Sequence, residues 1–81
     1  MYVTRLFLNE KLEEILEACE YCTRKDETFK YRLTTNRKHL LIFNQNRDQA
    51  YKRGMYFHKK YGVHFNVEKW KCQENVSLTQ K

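Results

Sequence analysis

Two cysteines with the spacing of a metal or redox motif, Cys19 and Cys22, are the first residues of this chain that could do chemistry. A zinc site would need two more ligands, and the candidates are a third cysteine and three histidines scattered over the sequence. Redox pairs of this spacing usually lie at a helix N-terminus, which lowers the thiol pKa. Cys19 and Cys22 instead fall near the C-terminal end of a predicted helix, on its apolar side. We therefore predict that both thiols fill the core, with no metal or cofactor bound.

No other group of residues has the spacing of a catalytic site. Ser77 is the single serine, and it lies in a polar C-terminal segment without a positioned base. With only Gly54 and Gly62, the chain cannot form a glycine-rich phosphate loop. A ribonuclease can work with Lys, Arg, Tyr and His alone, but no motif gathers such residues here. We therefore predict that the protein is not an enzyme.

Residues 46–62 carry a binding signal, because they are expected to form a helix with a cationic outer face. At about 100° per residue, basic side chains gather on one side and apolar side chains on the other. A cationic face with an aromatic ring suits a polyanion or an acidic protein surface, although a solvated helix can show the same pattern. The residues of this cationic face are Lys52, Arg53, Tyr56, Lys59 and Lys60.

The overall composition sets limits on the class of protein. A chain of 81 residues supports one domain, and its net charge of +6 is unevenly spread, since half of the ten acidic residues lie within residues 10–20. No segment approaches the roughly 20 apolar residues of a membrane span, and residues 1–8 do not resemble a signal peptide. Three cysteines are an odd number for a disulfide framework. These features predict a cytoplasmic protein with reduced thiols and no membrane partner.

The first half of the chain is expected to contain two strands and a helix. Residues 1–8 are rich in β-branched and aromatic types, which favours a strand. Asn9 is placed to cap a helix whose apolar residues recur at steps of three and four. Alternation predicts a second strand at residues 29–34, followed by a turn in which Asn36 is expected to adopt a positive φ.

The second half is expected to repeat this pattern. The apolar run at residues 40–43 forms the second arm of a hairpin, and Asn46 then caps a second helix that ends at Gly62. Alternation over residues 63–68 predicts the last strand.

The resulting order, β-α-β-β-α-β, predicts a ferredoxin-like α+β fold, a four-stranded antiparallel sheet with two helices on one face. We expect a single α+β domain over residues 1–72 and a disordered polar tail over residues 73–81. A different small α+β meander with the same elements is the alternative.

If both helices cover one side of the sheet, the other side is open. Arg5 is unsuited to the core, so Phe7 is expected beside it on the open side, and alternation in the second strand adds Lys30 and Arg32. The third strand directs either Leu41 and Phe43 or Leu40 and Ile42 to this side, and the first choice is favoured because it also places His39 there. Aromatic rings on an open sheet can stack unpaired bases while nearby cations contact phosphates. An apolar patch of this kind is equally typical of a homodimer interface.

The same element order occurs in the RNA-recognition motif, but residues 37–44 (RKHLLIFN) have neither glycine of that family's signature nor its aromatic spacing. We therefore assign no family. The favoured function is a small basic module that binds nucleic acid, DNA or RNA, through the cationic helix or the open sheet.

The alternative function is a small inhibitor or adaptor that binds a host protein through a charged helix face. Glu13, Glu17 and Tyr21 on the first helix would make that contact, since tyrosine is enriched at interface hot spots. The proline-free, glycine-poor composition is similar to that of small early proteins of bacteriophages, which suggests a viral origin for such a protein.

Overall fold

Four strands and two helices follow one another in the order β-α-β-β-α-β in the computed structural model, which describes residues 1–70. The strand order is β2-β3-β1-β4, and all neighbouring strands are antiparallel. This is the ferredoxin-like α+β fold that the sequence predicts. The predicted polar tail lies outside the described residues. The elements are β1 (Tyr2–Phe7), α1 (Leu12–Lys25), β2 (Lys30–Leu33), β3 (His39–Asn44), α2 (Arg47–Tyr61) and β4 (His64–Lys69).

Strand β1 lies at the centre of the sheet and pairs with β3 on one side and β4 on the other. Its alternate residues point to opposite faces, so Leu6 is directed towards the helices and Arg5 away from them. Leu6 is fully buried together with Ile42 of β3, Ile15 of α1 and Phe57 of α2. The core therefore lies between the sheet and the two helices. Within residues 1–70, neither helix is long and apolar enough to cross a membrane.

Two buried polar residues fix helix α2 onto the sheet. The Thr4 hydroxyl donates to the carbonyl oxygen of Ala50 at 2.7 Å, and it accepts a hydrogen bond from Asn44 Nδ2 at 3.2 Å. Asn44 Nδ2 also donates to the Ile42 carbonyl oxygen at 2.8 Å. Buried polar groups need such partners, since an unsatisfied group costs about 1–3 kcal/mol. The network thus ties β1, β3 and α2 together.

Helix α2 begins and ends where the sequence predicts. The Asn46 side chain accepts a hydrogen bond from the Gln49 backbone N–H at 2.8 Å, as an N-cap does. At the other end Gly62 has φ = 76°, and its N–H donates to the His58 carbonyl oxygen at 2.9 Å. A residue with a Cβ is disfavoured at this left-handed position.

Helix α1 begins later than a cap at Asn9 implies. The capping position is Lys11, and Asn9 Oδ1 instead accepts the Lys11 N–H at 2.8 Å in a turn before the helix. The Asn9 amide also donates to the carbonyl oxygen of Tyr61 at 3.2 Å. This tertiary bond holds the start of α1 beside the end of α2, and no local pattern in the sequence signals it.

The β2–β3 turn places its positive φ at Arg37 (φ = 60°), so the prediction for Asn36 was wrong. The Arg37 N–H donates to the Thr34 carbonyl oxygen at 2.9 Å and closes a four-residue turn in which Asn36 is the third residue. The Thr34 N–H also donates to the His39 carbonyl oxygen at 3.0 Å, so residues 35–38 form a four-residue loop, a length most often built around such a turn. Arg37, the last residue of the turn, takes the left-handed conformation. The side chain of Asn36 meanwhile accepts from the Lys38 N–H at 3.0 Å.

We predict that Gly54→Ala destabilises the protein, although alanine is the better helix former by about 0.8–1.0 kcal/mol. A methyl group at this position of α2 would overlap the ring of Phe65 on β4. Overpacking of this kind costs about 1–3 kcal/mol, so the clash should dominate. Urea denaturation followed by circular dichroism measures the change. Combining the substitution with Phe65→Ala should cost less than the sum of the two single changes, and a Gly54→Ala protein as stable as the parent would contradict the expected clash.

Candidate functional site: the open sheet face

The side of the sheet that faces away from the helices is termed the open face. The register sets its side chains in three rows across the sheet, because residues paired between strands point the same way. One row crosses the sheet from Lys30 to Glu68, the next from Arg32 to Asn66, and the third from His39 to His64. The open face consists of Val3, Arg5, Phe7, Lys30, Arg32, His39, Leu41, Phe43, His64, Asn66, Glu68 and, just beyond β4, Trp70.

An ion pair lies near the middle of the open face. Arg5 Nε donates to Glu68 Oε2 at 2.8 Å and Arg5 Nη2 donates to Glu68 Oε1 at 3.2 Å. The third bond of the guanidinium, from Nη1, reaches His39 Nδ1 at 3.1 Å. Since a guanidinium can only donate, this nitrogen of His39 is the unprotonated one. The hydrogen bond to Glu68 raises the pKa of Arg5. The guanidinium of Arg5, which was predicted to contact phosphate, is thus already hydrogen-bonded to Glu68 and His39.

The two predicted stacking residues both lie on the open face and are partly exposed. Phe7 packs edge-on against His39 with ring centres 4.8 Å apart and planes at 87°. Phe43 packs in the same way against Trp70, with ring centres 5.6 Å apart and planes at 80°. The open face therefore presents two separate aromatic pairs.

Trp70 is the residue of this face that the sequence interpretation missed. Its backbone N–H donates to the Met1 carbonyl oxygen at 2.9 Å, which extends the pairing of β1 with β4. The alternation of His64, Asn66 and Glu68 continues to Trp70 and was the signal available. Because β1 lies between β3 and β4, the ring of Trp70 extends over β1 to pack on Phe43. Val3 of β1, on the same face, is fully buried.

Lys30 and Arg32 are the exposed cations of the open face. Lys30 pairs with Phe43 in the register, and Arg32 pairs with Leu41. Within residues 1–70 the ion pairs join Arg5 to Glu68, Lys52 to Asp48 and Arg53 to Asp26, and none involves Lys30 or Arg32. Both side chains are thus available to an anionic ligand.

The cationic face of α2 contains less free charge than its sequence suggests. The Arg53 side chain is only 21% exposed, and its guanidinium lies 4.7 Å from the centre of the Phe29 ring. Arg53 Nη1 also donates to Asn44 Oδ1 at 2.8 Å, so this arginine holds α2 against the sheet. Lys52 lies 3.4 Å from Asp48 in an exposed pair, which is a weak interaction.

Three of the residues predicted on α2 remain exposed near its C-terminal end. Lys60 Nζ donates to the Tyr56 hydroxyl at 3.2 Å and lies 5.5 Å from the centre of that ring. Lys59 is exposed beside them. On α1, Glu13, Glu17 and Tyr21 are exposed as predicted for the alternative partner surface.

The two described cysteines have different surroundings. Cys19 is fully buried in the core, where burial raises its pKa to about 12, and Cys22 is partly exposed between the helices. Among residues 1–70, no group of three or more His, Cys, Asp and Glu side chains is placed to hold a metal ion. Cys72, the third thiol, lies outside the described residues.

The chain matches neither the protein-family models nor the curated proteins with which it was compared. Its ferredoxin-like fold occurs with many unrelated functions, so a functional inference must start from the surfaces described above.

We predict that iodoacetamide modifies Cys22 but not Cys19 in the folded protein at mildly alkaline pH. An ordinary cysteine ionises near pH 8.5, whereas the raised pKa keeps Cys19 a neutral, buried thiol there. The raised pKa also makes the stability of the folded protein depend on pH. The stabilisation that Cys19 contributes is complete below the pKa of its thiol in the unfolded chain and is lost as the pH rises towards about 12. Peptide mapping by mass spectrometry identifies the modified thiol, and urea should expose both. Equal modification of the two thiols without urea would show that the core does not protect Cys19.

Proposed function

We propose that this protein binds single-stranded nucleic acid, RNA or DNA, on the open face of its sheet. The observation that supports this most is the placement of partly exposed Phe7 and Phe43 on a sheet side without helices, next to Lys30 and Arg32. Neither cation has a carboxylate partner within residues 1–70. Rings that stack bases and cations that contact phosphates are the two requirements for binding a single strand.

The two aromatic pairs suit separate bases. Phe43 pairs in register with Val3, and Phe7 lies four residues further along β1, roughly 13 Å away at the rise of a strand. This distance is too long for the rings to enclose one base. Each ring is instead available to stack one base of an extended strand.

The electrostatics of the open face also favour an anionic ligand. Glu68 is the one acidic residue on this face within residues 1–70, and Arg5 neutralises it. Because this pair has no net charge, the surplus charge of the face is positive and comes from Lys30 and Arg32. The Arg5–Glu68 pair also keeps a carboxylate from repelling phosphate.

The open face supports the proposal better than α2 or a symmetric dimer does. On α2, Arg53 is held by Asn44 and Phe29, and Lys52 lies beside Asp48 in a weak, exposed pair. Lys59 and Lys60 stay exposed, but only one exposed ring, that of Tyr56, lies beside them, and Lys60 already contacts it. A dimer formed through two open faces would enclose the Lys30 and Arg32 side chains of both copies, because such an interface uses the same patch twice. Like charges brought together in this way oppose association.

We predict that replacing Lys30 and Arg32 with glutamate weakens binding of labelled oligouridine and oligothymidine and reduces its salt dependence. For a single strand, the slope of log affinity against log salt should become less steep by roughly 0.7 for each phosphate that the protein no longer neutralises. Fluorescence anisotropy over a salt series gives the slope. The matched control is Lys59→Glu with Lys60→Glu, which changes the charge equally on α2 and should leave the slope near that of the parent. A loss of binding in the control alone would assign the site to α2, and no binding by the parent at about 50 mM salt would refute the proposal.

We also predict that Phe7→Ala and Phe43→Ala each weaken binding by about 1–3 kcal/mol, the value of one stacked base. Phe43→Tyr keeps the ring and should retain most of the affinity. Trp70 is the only tryptophan in the chain and touches Phe43, so its fluorescence reports directly on this face. Oligonucleotide should change that fluorescence in the parent. Alanine variants that stay folded by circular dichroism and bind with unchanged affinity would exclude stacking at these positions.

A further inference from the structure

A groove between α1 and α2 forms a second surface, on the opposite side of the sheet from the open face. It consists of two adjoining hollows of about 480 and 560 Å³, which share Tyr21, Cys22 and Tyr56. Phe29 and Phe57 lie beneath the first hollow, and the lining there is mainly apolar. The groove thus offers apolar surface along the two helices.

Two tyrosines form the walls at the middle of the groove. Tyr21 on α1 is 55% exposed and Tyr56 on α2 is 49% exposed, which makes them the most exposed aromatic residues of the groove. The Lys25 and Lys60 ammonium groups lie 5.4 and 5.5 Å from the ring centres of Tyr21 and Tyr56, respectively. Large rings with few rotatable bonds are typical anchors of protein interfaces.

The two ends of the groove carry opposite charge, because α1 and α2 run antiparallel. At the end formed by the last turn of α1 and the first turns of α2, Lys25 and Lys52 line the groove with Arg53, against a single acid, Asp26. At the other end Glu14 and Glu17 line it, against a single base, Lys60. A ligand that fills the whole groove is therefore favoured when it is acidic near Lys25 and Lys52 and basic near Glu14 and Glu17.

We propose that this groove binds one amphipathic helix of a partner protein, oriented with its acidic end against Lys25 and Lys52. The hollows extend along α2 from Gln49 to Tyr61, about 18 Å at the rise of a helix, which is the length of about 12 helical residues. The backbone groups of α1 and α2 are already paired within each helix, so an extended peptide would find no strand edge here. A helix satisfies its own backbone and presents only its apolar face.

The charge pattern of the groove also fits the preferences of a helix. Acidic residues stabilise the first turn of a helix and basic residues stabilise the last. A partner helix with that pattern lies with its N-terminal turn near Lys25 and Lys52 and its C-terminal turn near Glu14 and Glu17. The contact involves Glu17 and Tyr21 of the predicted partner surface, whereas Glu13 does not line the groove.

The test uses a synthetic helical peptide of about 12–14 residues with leucines on one face, glutamates in the first turn and lysines in the last. Cys22 shares the groove with Tyr21 and Tyr56, so its alkylation by iodoacetamide reports on occupancy at this place alone. We expect saturating peptide to slow Cys22 alkylation at least about tenfold. Oligonucleotide, which is proposed to bind on the other side of the sheet, should leave it unchanged.

Two sets of variants separate this site from nonspecific binding. Tyr56→Ala should reduce peptide affinity about tenfold, while the control Tyr51→Ala, a similarly exposed tyrosine of α2 outside the groove, should not. Lys25→Glu with Lys52→Glu should also weaken binding of the peptide. A peptide whose glutamates are replaced with glutamine should bind this variant and the parent with similar affinity. Lys38→Glu with Lys59→Glu, two exposed lysines outside the groove, changes the net charge equally and is the control for charge.

Three results would overturn the proposal. The first is no protection of Cys22 at any peptide concentration. The second is equal binding by the Tyr56→Ala and parent proteins when circular dichroism shows both to be folded. The third is protection of Cys22 that rises with protein concentration in the absence of peptide, since this would identify a second copy of the chain as the occupant.

Discussion

The pairing of β1 with both β3 and β4 is the constraint on which both surfaces depend. Its register places Arg5 opposite Leu41 and Asn66, on the side away from the helices, and Leu6 on the side of the core. A shift by one residue would exchange the two faces and bury the Arg5 guanidinium among apolar side chains. The large cost of burying an unpaired charge makes such a shift very unfavourable. The open face and the helix-covered face therefore stay distinct.

Several cations that look equivalent in the sequence have different roles in the folded chain. Arg5 neutralises Glu68, and Arg53 joins α2 to the sheet through Asn44 and Phe29. A guanidinium suits both tasks because it donates several hydrogen bonds in a plane and stacks on an aromatic ring. Lys30 and Arg32 have no such partners within residues 1–70, so they supply the charge that a ligand can use. The basic residues of this domain are thus divided between those that pair or pack within the fold and those that stay exposed.

The two surfaces are independent because they lie on opposite sides of the same sheet. The open face combines rings and cations, whereas the groove between α1 and α2 combines rings with charges of both signs. Binding at one surface need not block the other. The two proposals together describe a module that holds a nucleic acid strand on one side and a partner helix on the other, each measurable by its own reporter, Trp70 or Cys22.

Local patterns in the sequence determined the element order, the Asn46 and Gly62 ends of α2, and the side of the sheet on which Phe7 lies. These features depend on alternation and on backbone preferences of single residues, which act over a few positions. For Phe43 the apolar run of β3 left both sides open, and the register confirms the favoured one. The positive φ at Arg37 and the start of α1 were predicted at the wrong residues, because hydrogen bonds of Asn36 and Asn9 decide them. Only the tertiary structure decided that Arg5 pairs with Glu68, that Arg53 packs on Phe29 and that Trp70 packs on Phe43. Each of these contacts joins residues far apart in the chain, so no local spacing encodes it.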